Sequence, residues 1–182
     1  MQMKSSRIRD LIYVALSAAF IAVCSWIAIP GAVPFTMQSF GILTVSGLFG
    51  GKRGFLAVLV YILLGAVGIP VFSAGRGGIG VLLGETGGYL MGFPVGAFVC
   101  GIICKKTKST AGMFLAMLIC MVICYITGCL WGTVVYTDSK TAGVFLILSR
   151  YVIPFVIPDL AKLVLAIFAV KAMEKRRIFS NR

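Results

Sequence analysis

Phe72-Ser-Ala-Gly-Arg-Gly-Gly-Ile-Gly-Val-Leu-Leu-Gly-Glu-Thr-Gly-Gly-Tyr-Leu-Met-Gly-Phe93 sets glycines, an arginine, a glutamate and a tyrosine between two stretches that are almost wholly apolar. Residues 55–70 upstream read as a membrane span, and the chain turns apolar again downstream. A glycine-dense segment in that position is either a tight re-entrant connection or the wall of a binding site. Polar groups elsewhere in the chain favour the wall.

The surroundings of this stretch define the solvent. Of 182 residues, 60% are hydrophobic and 12% charged, and the mean hydropathy is +1.06. Soluble domains carry about 25% charged residues. So little polar surface cannot cover a water-soluble globule, and the chain reads as one integral membrane domain over residues 1–182. The net charge of +12 does not point to nucleic acid, because no face interleaves basic with aromatic residues. Its cations instead punctuate the apolar runs: Lys4, Arg7 and Arg9 at the start, Lys52 and Arg53, Lys105, Lys106 and Lys108, then Lys171, Lys175, Arg176, Arg177 and Arg182. That is the pattern of cytoplasmic loops in a multi-pass protein of the cell membrane.

Six spans are expected, at about 11–29, 40–49, 55–69, 82–103, 113–135 and 145–172. The first follows a basic start but outruns a signal-peptide core and lacks a clean cleavage site, so it is read as a retained helix. Ala15, Ala18, Ala19 and Ala22 form a small-residue ridge along it, suited to close helix approach in lipid. The second is short for a crossing. Connections are expected at 30–36, 50–54, 70–80, 105–109 and 136–141, with glycines turning the chain at 50–54. Gly84, Gly88, Gly92 and Gly96 recur every fourth position and lie on one helix face, and Pro94 marks a kink. An even number of spans puts both termini on one side, and the positive-inside rule makes that side the cytoplasm.

Several motifs are excluded. Gly75-Arg-Gly-Gly-Ile-Gly80 matches G-x-G-x-x-G but joins two apolar helices, with no strand before it, so it is not a dinucleotide site. No G-x-x-x-x-G-K-[ST] occurs, so nothing here holds ATP. Cys24, Cys100, Cys104, Cys120, Cys124 and Cys129 all lie in apolar runs; with no histidine and no C-x-x-C they read as buried thiols, and no metal is expected. Nothing argues for an enzyme. Two features do point to a ligand. Asp159 and Lys162 stand three apart, on one face of the last span, where each charge costs about 2.5–3.5 kcal/mol at mid-bilayer. Arg76 and the glycines around it could offer a planar cation and close backbone approach. The alternatives are an ion pair that only locks the bundle, and a turn with a snorkelling arginine.

Gly77-Gly78-Ile-Gly80, Leu83-Gly84-Glu-Thr86-Gly87-Gly88-Tyr89 with Gly92-Phe93, and Pro158-Asp159-x-x-Lys162 resemble the signature stretches of the BioY family, the biotin-binding S components of energy-coupling factor (ECF) transporters. The resemblance covers essentially the whole chain. One departure is Glu85, where members usually carry proline. The resemblance implies an all-α bundle of six transmembrane helices. It also implies biotin as ligand, with Asp159 accepting from ureido N–H groups and Lys162 or Arg76 meeting the carbonyl or the tail carboxylate. Tyr89 would supply a hydroxyl and an apolar wall, and Gly77 and Gly78 backbone donors. Gln38 would stand at the rim, and Glu85 is a further candidate. The chain would need no cofactor of its own, because a transmembrane T component and two ATPase subunits would use the ATP. Ala15, Ala19 and Ala22 would dock on the T component. The rivals are an S component for another vitamin, a stand-alone carrier coupled to protons or sodium through Asp159 or Glu85, and a structural subunit that binds no small molecule.

Overall fold

The structure, a computed structural model, describes residues 2–29, 34–107, 109–135, 148–149 and 151–176. Among the described residues the main helices are α1 (Gln2–Trp26), α2 (Gln38–Phe49), α3 (Gly51–Ala66), α4 (Ile79–Leu83), α5 (Gly87–Lys106), α6 (Thr110–Val135) and α7 (Ile153–Lys175). Two two-residue strands among the described residues, β1 (Ala28–Ile29) and β2 (Phe35–Thr36), pair antiparallel with Ala28 opposite Thr36. The expected loop at 30–36 therefore begins and ends as a ribbon; residues 30–33, like the expected connection at 136–141 and the start of the last span at 145–147, lie outside the described residues.

Among the described residues four helices are long and apolar enough to cross a membrane: Arg7–Trp26, Gly87–Lys106, Thr110–Val135 and Ile153–Lys175. α2 has 12 residues and α3 has 16, both short of the roughly 20 that a perpendicular crossing takes. Large apolar side chains such as Leu16, Val23, Leu115, Val122, Leu130, Val164 and Phe168 face outward, as they do where lipid is the solvent. α2 is the centre of the bundle, with buried positions running nearly all round it from Gln38 to Phe49. It packs on α1, α3, α5, α6 and α7. Small residues admit these neighbours: Gly41 lies against Ile21 and Cys24 of α1, and Gly47 against Met117 and Val170.

Two expected boundaries shift, and one expected face divides. The turn after α2 is made by Gly50 alone, whose φ of +80° is a left-handed conformation that glycine adopts without a Cβ penalty. Gly51, Lys52, Arg53 and Gly54 already belong to α3. The fourth expected span begins at Gly87 instead of 82, because Gly84 to Thr86 break the helix and the Gly84 carbonyl accepts from Trp131 Nε1 at 2.9 Å. Gly84 thus leaves the glycine line, while Gly88, Gly92 and Gly96 hold α5 against α6. On α1 the alanine ridge is split. Ala15 and Ala19 are exposed, whereas Ala22 is only 8% exposed and joins Val14, Ala18 and Ile21 in the core. Its side of the helix is needed for packing on α2 and α3.

The basic residues gather at one end of the bundle. Arg53 pairs with Asp10 at 2.6 Å and lies over Tyr13. The Lys105 side chain lies beside Gly50, and Lys171 reaches the hydroxyl of Thr110. At the other end Ser25 donates to the Val71 carbonyl and Trp26 Nε1 to the Pro70 carbonyl at 2.8 Å, pinning the loop after α3 onto α1. A Cβ on Gly88 would come within 2.5 Å of the Thr127 carbonyl oxygen of α6. Gly88→Leu should therefore prise α5 from α6 and lower the unfolding midpoint in detergent, by more than the about 1–3 kcal/mol of ordinary overpacking. Gly80→Ala, with nothing within 4 Å of its Cβ, should leave the midpoint unchanged.

Candidate functional site

A cavity of about 80 Å³ opens at the end of the bundle away from most of the basic residues. α2, α5, α6 and α7 supply its walls, together with β2 and the loop after α3. Its apolar lining includes Ile42, Leu43, Leu90, Phe93, Met121 and Phe155; polar groups break this lining at a few places. Such a pocket, mostly apolar with a few convergent polar groups, is the usual form of a small-molecule site.

The polar centre is the pair on α7. Asp159 and Lys162 are 9% and 4% exposed, and Lys162 Nζ lies 2.8 Å from Asp159 Oδ1. Pro154 stands in the first turn of α7, where the missing N–H is tolerated, and Pro158 lies inside the helix just before the aspartate, where it removes one intrahelical hydrogen bond. Lys162 Nζ also donates to the Thr36 carbonyl at 2.6 Å and to Ser39 Oγ at 3.4 Å. It stands 3.7 Å from the centroid of the Phe35 ring. The ribbon of β1 and β2 thus holds an acceptor and an aromatic face to the ammonium. Asp159 accepts in turn from Ser39 Oγ at 3.2 Å and, through Oδ2, from the Tyr125 hydroxyl at 2.7 Å. An ammonium has three donors, and all three of Lys162 have acceptors; a carboxylate has about four lone-pair sites, so Asp159 retains room to accept.

Four of the expected residues meet at this cavity: Gln38, Tyr89, Asp159 and Lys162. Gln38 Nε2 donates to the Tyr61 hydroxyl at 2.9 Å, below the cavity mouth. Tyr89 stacks on Tyr151 at 6.2 Å and meets Tyr125 edge-on at 6.5 Å, while its hydroxyl donates to the Tyr151 carbonyl. It gives the cavity a ring more than a free hydroxyl. Arg76, Gly77, Gly78 and Glu85 are not part of the lining. Arg76 is exposed, and its Nε turns back to the Ser73 carbonyl at 3.2 Å. Gly77 is a glycine because a Cβ there would meet the Ile69 carbonyl oxygen at 2.5 Å. The Gly78 N–H is spent on the Gly65 carbonyl at 2.7 Å, so the expected backbone donor is already engaged. Glu85 lies half-buried in the break between α4 and α5, next to Thr86, which does line the cavity. The sequence reading missed Phe35, Thr36, Ser39 and Tyr125. For Tyr125 and Ser39 the signal was a phenol and a hydroxyl within apolar runs, groups that need partners once buried; Phe35 and the Thr36 carbonyl carry no such signal.

The fold and cavity define a helical membrane protein built to hold a small, partly polar molecule. The comparisons make this specific. A model of the BioY family matches residues 1–178, and the chain belongs to that family. It is 40% identical over 171 residues to the biotin transporter BioY of Thermotoga maritima, covering 93% of this chain and 98% of that protein. It is 33% identical over 167 residues to the probable biotin transporter BioY of Pyrococcus horikoshii, covering 91% and 96%. In structure it is similar to the crystal structure of the S-component for biotin from an ECF-type ABC transporter, with a TM-score of 0.83 and 25% identity over 94% of this chain and 93% of that one.

The pair is also a stability element. Asp159→Asn strands the Lys162 charge in a buried site and should cost about 3–5 kcal/mol, read as a fall in the unfolding midpoint in detergent. Adding Lys162→Met removes the stranded charge, so the double variant should melt above Asp159→Asn alone. A double variant that melts no higher would show that the two charges are not coupled.

Proposed function

We propose that this membrane protein captures biotin on the side away from its basic end and serves as the S component of an ECF-type transporter. The observation that carries the reading is the hydrogen-bonded Asp159 and Lys162 pair inside an otherwise apolar cavity, in a member of a family whose relatives are named biotin transporters. Biotin combines a ureido ring, an apolar thiophane and a carboxylate tail. Asp159, with acceptor capacity left over, is the natural partner of ureido N–H groups. Lys162 already meets three acceptors, so a ligand oxygen would have to displace one of them to reach it. Tyr89, Phe93 and Met121 offer apolar wall to the thiophane. Burial in this water-poor setting strengthens each hydrogen bond to the pair.

The topology we propose is six crossings, with α2 and α3 as shorter members of the set and both termini on the basic, cytoplasmic side. Release of biotin inside would be driven by ATP hydrolysed in partner subunits, two ATPases joined through a transmembrane T component. The exposed small residues Ala15 and Ala19 of α1 are the proposed docking face; Ala22 is buried and is not part of it. An S component for a different vitamin is the nearest competing reading, and competition with unlabelled vitamins separates the two.

Labelled biotin should bind the purified protein saturably in detergent. Tyr125→Phe, which removes one hydrogen bond to the Asp159 carboxylate of the free protein, should lower its stability by about 1.5–3 kcal/mol, read as a fall in the unfolding midpoint in detergent. Absence of binding by folded wild type would overturn the biotin reading. Ala19→Arg should leave biotin binding intact while abolishing ATP-dependent uptake in vesicles that also contain the T and ATPase subunits. Uptake that survives loss of the ATPases but collapses with an uncoupler would favour an ion-coupled carrier instead.

A further inference from the structure

The loop after α3 holds a hydroxyl to which no role has been attached. Ser73 lines the cavity and is 6% exposed. Its Oγ is buried and has no hydrogen-bond partner among the described residues. A buried hydroxyl without a partner is costly, and such groups in native proteins call for an explanation. The neighbouring structure shows that its position is fixed. The Ser73 carbonyl accepts from both the backbone N–H and the Nε of Arg76, at 3.3 and 3.2 Å. Phe72 N–H donates to the Arg76 carbonyl at 2.8 Å, and the Phe72 ring packs edge-on to Tyr61 at 5.5 Å. Ala74, the next residue, holds a left-handed φ of 55°, a conformation costly for a residue with a Cβ. The loop is thus tied down on both sides of a serine whose side chain bonds to none of the described residues.

We propose that the Ser73 hydroxyl is a specificity-determining group that donates a hydrogen bond to an acceptor oxygen of the bound molecule. Under the biotin reading, on which this inference rests, that oxygen is either the ureido carbonyl or the tail carboxylate. Arg76 acts on this site through Ser73: its guanidinium holds the loop and adds positive charge near the donor.

The test compares wild type with Ser73→Ala for biotin, for 2-iminobiotin, whose ureido oxygen is replaced, and for the analogue whose tail ends in methyl instead of carboxylate. Because Oγ has no partner among the described residues of the free protein, Ser73→Ala should fold with an unchanged or raised unfolding midpoint. It should nevertheless bind biotin about tenfold more weakly and show a smaller stabilisation by saturating biotin. With the analogue lacking the contacted oxygen, wild type and variant should bind alike, and that analogue identifies the oxygen. Ser73→Cys, nearly isosteric but a weaker donor, should fall between serine and alanine. Biotin binding by Ser73→Ala as tight as by wild type would overturn the proposal and leave the biotin reading standing. So would a loss of affinity that is equal for all three ligands or that accompanies a lower midpoint of the free protein. Wild type that binds no biotin would sink the functional reading itself, and this proposal with it.

Discussion

A carboxylate and an ammonium held together among apolar helices set the terms for the rest of this molecule. Neither charge is tolerable alone at that depth, and together they are tolerable only if their remaining donors and acceptors are met. Meeting them recruits three segments. Lys162 draws in the Thr36 carbonyl and the Phe35 ring from the ribbon, and Ser39 from the start of α2. Asp159 draws in Ser39 again and Tyr125 from α6. Contacts that neutralise the pair therefore also fix the walls around it, and the polar centre of the cavity is built by the requirement that no charge be left unpaired.

The opposite wall obeys a different rule. The loop after α3 carries no charge pair, and its position comes from backbone carbonyls taken by side chains of α1. Ser25 and Trp26 hold Val71 and Pro70, and Phe72 fills the space that Gly65 leaves open. One side of the cavity is thus held by electrostatics and the other by packing and backbone hydrogen bonds. Loop segments of the second kind open at lower free energy than packed cores. Passage of a ligand is accordingly easier to assign to the loop side than to α7.

Much of this was legible in the sequence where one physical signal dominated. The long apolar runs of α1, α5, α6 and α7, the glycines at 88, 92 and 96, and the i, i+3 spacing of Asp159 and Lys162 each depend on the residues' own helix alone. The errors lie where the surroundings decide. α2 is apolar all round because protein covers it on every side, so its length could not be judged from a lipid-facing pattern. The break at 84–86 depends on Trp131, which is distant in sequence. Ala22 and Ala19 are the same residue type on neighbouring faces of α1, and only the position of the partner helices makes one core and the other surface. Arg76 stood out as a charge in a glycine loop, but its guanidinium turns back on its own loop, whereas the quieter Tyr125 and Ser39 reach the carboxylate from α6 and α2.

The shortness of α2 then acquires a structural reason. From Gly50, which lies against Lys105 at the basic end, its 12 residues rise only about 18 Å in a hydrocarbon core of about 30 Å. The N-terminus of α2 must therefore end inside the bundle instead of at its far surface. There its first residues, Gln38 and Ser39, face the cavity, and the positive end of the helix dipole lies beside the Asp159 carboxylate, which Ser39 also contacts. A helix long enough to cross would fill the space the cavity occupies and would carry its N-terminal dipole out to water, where it is screened. Discontinuous helices that end at depth are a recurrent way for membrane proteins to set polar ends around a substrate. Here one short helix does three things: it leaves room for the ligand, helps to neutralise the aspartate, and packs its apolar length against the spans that enclose it.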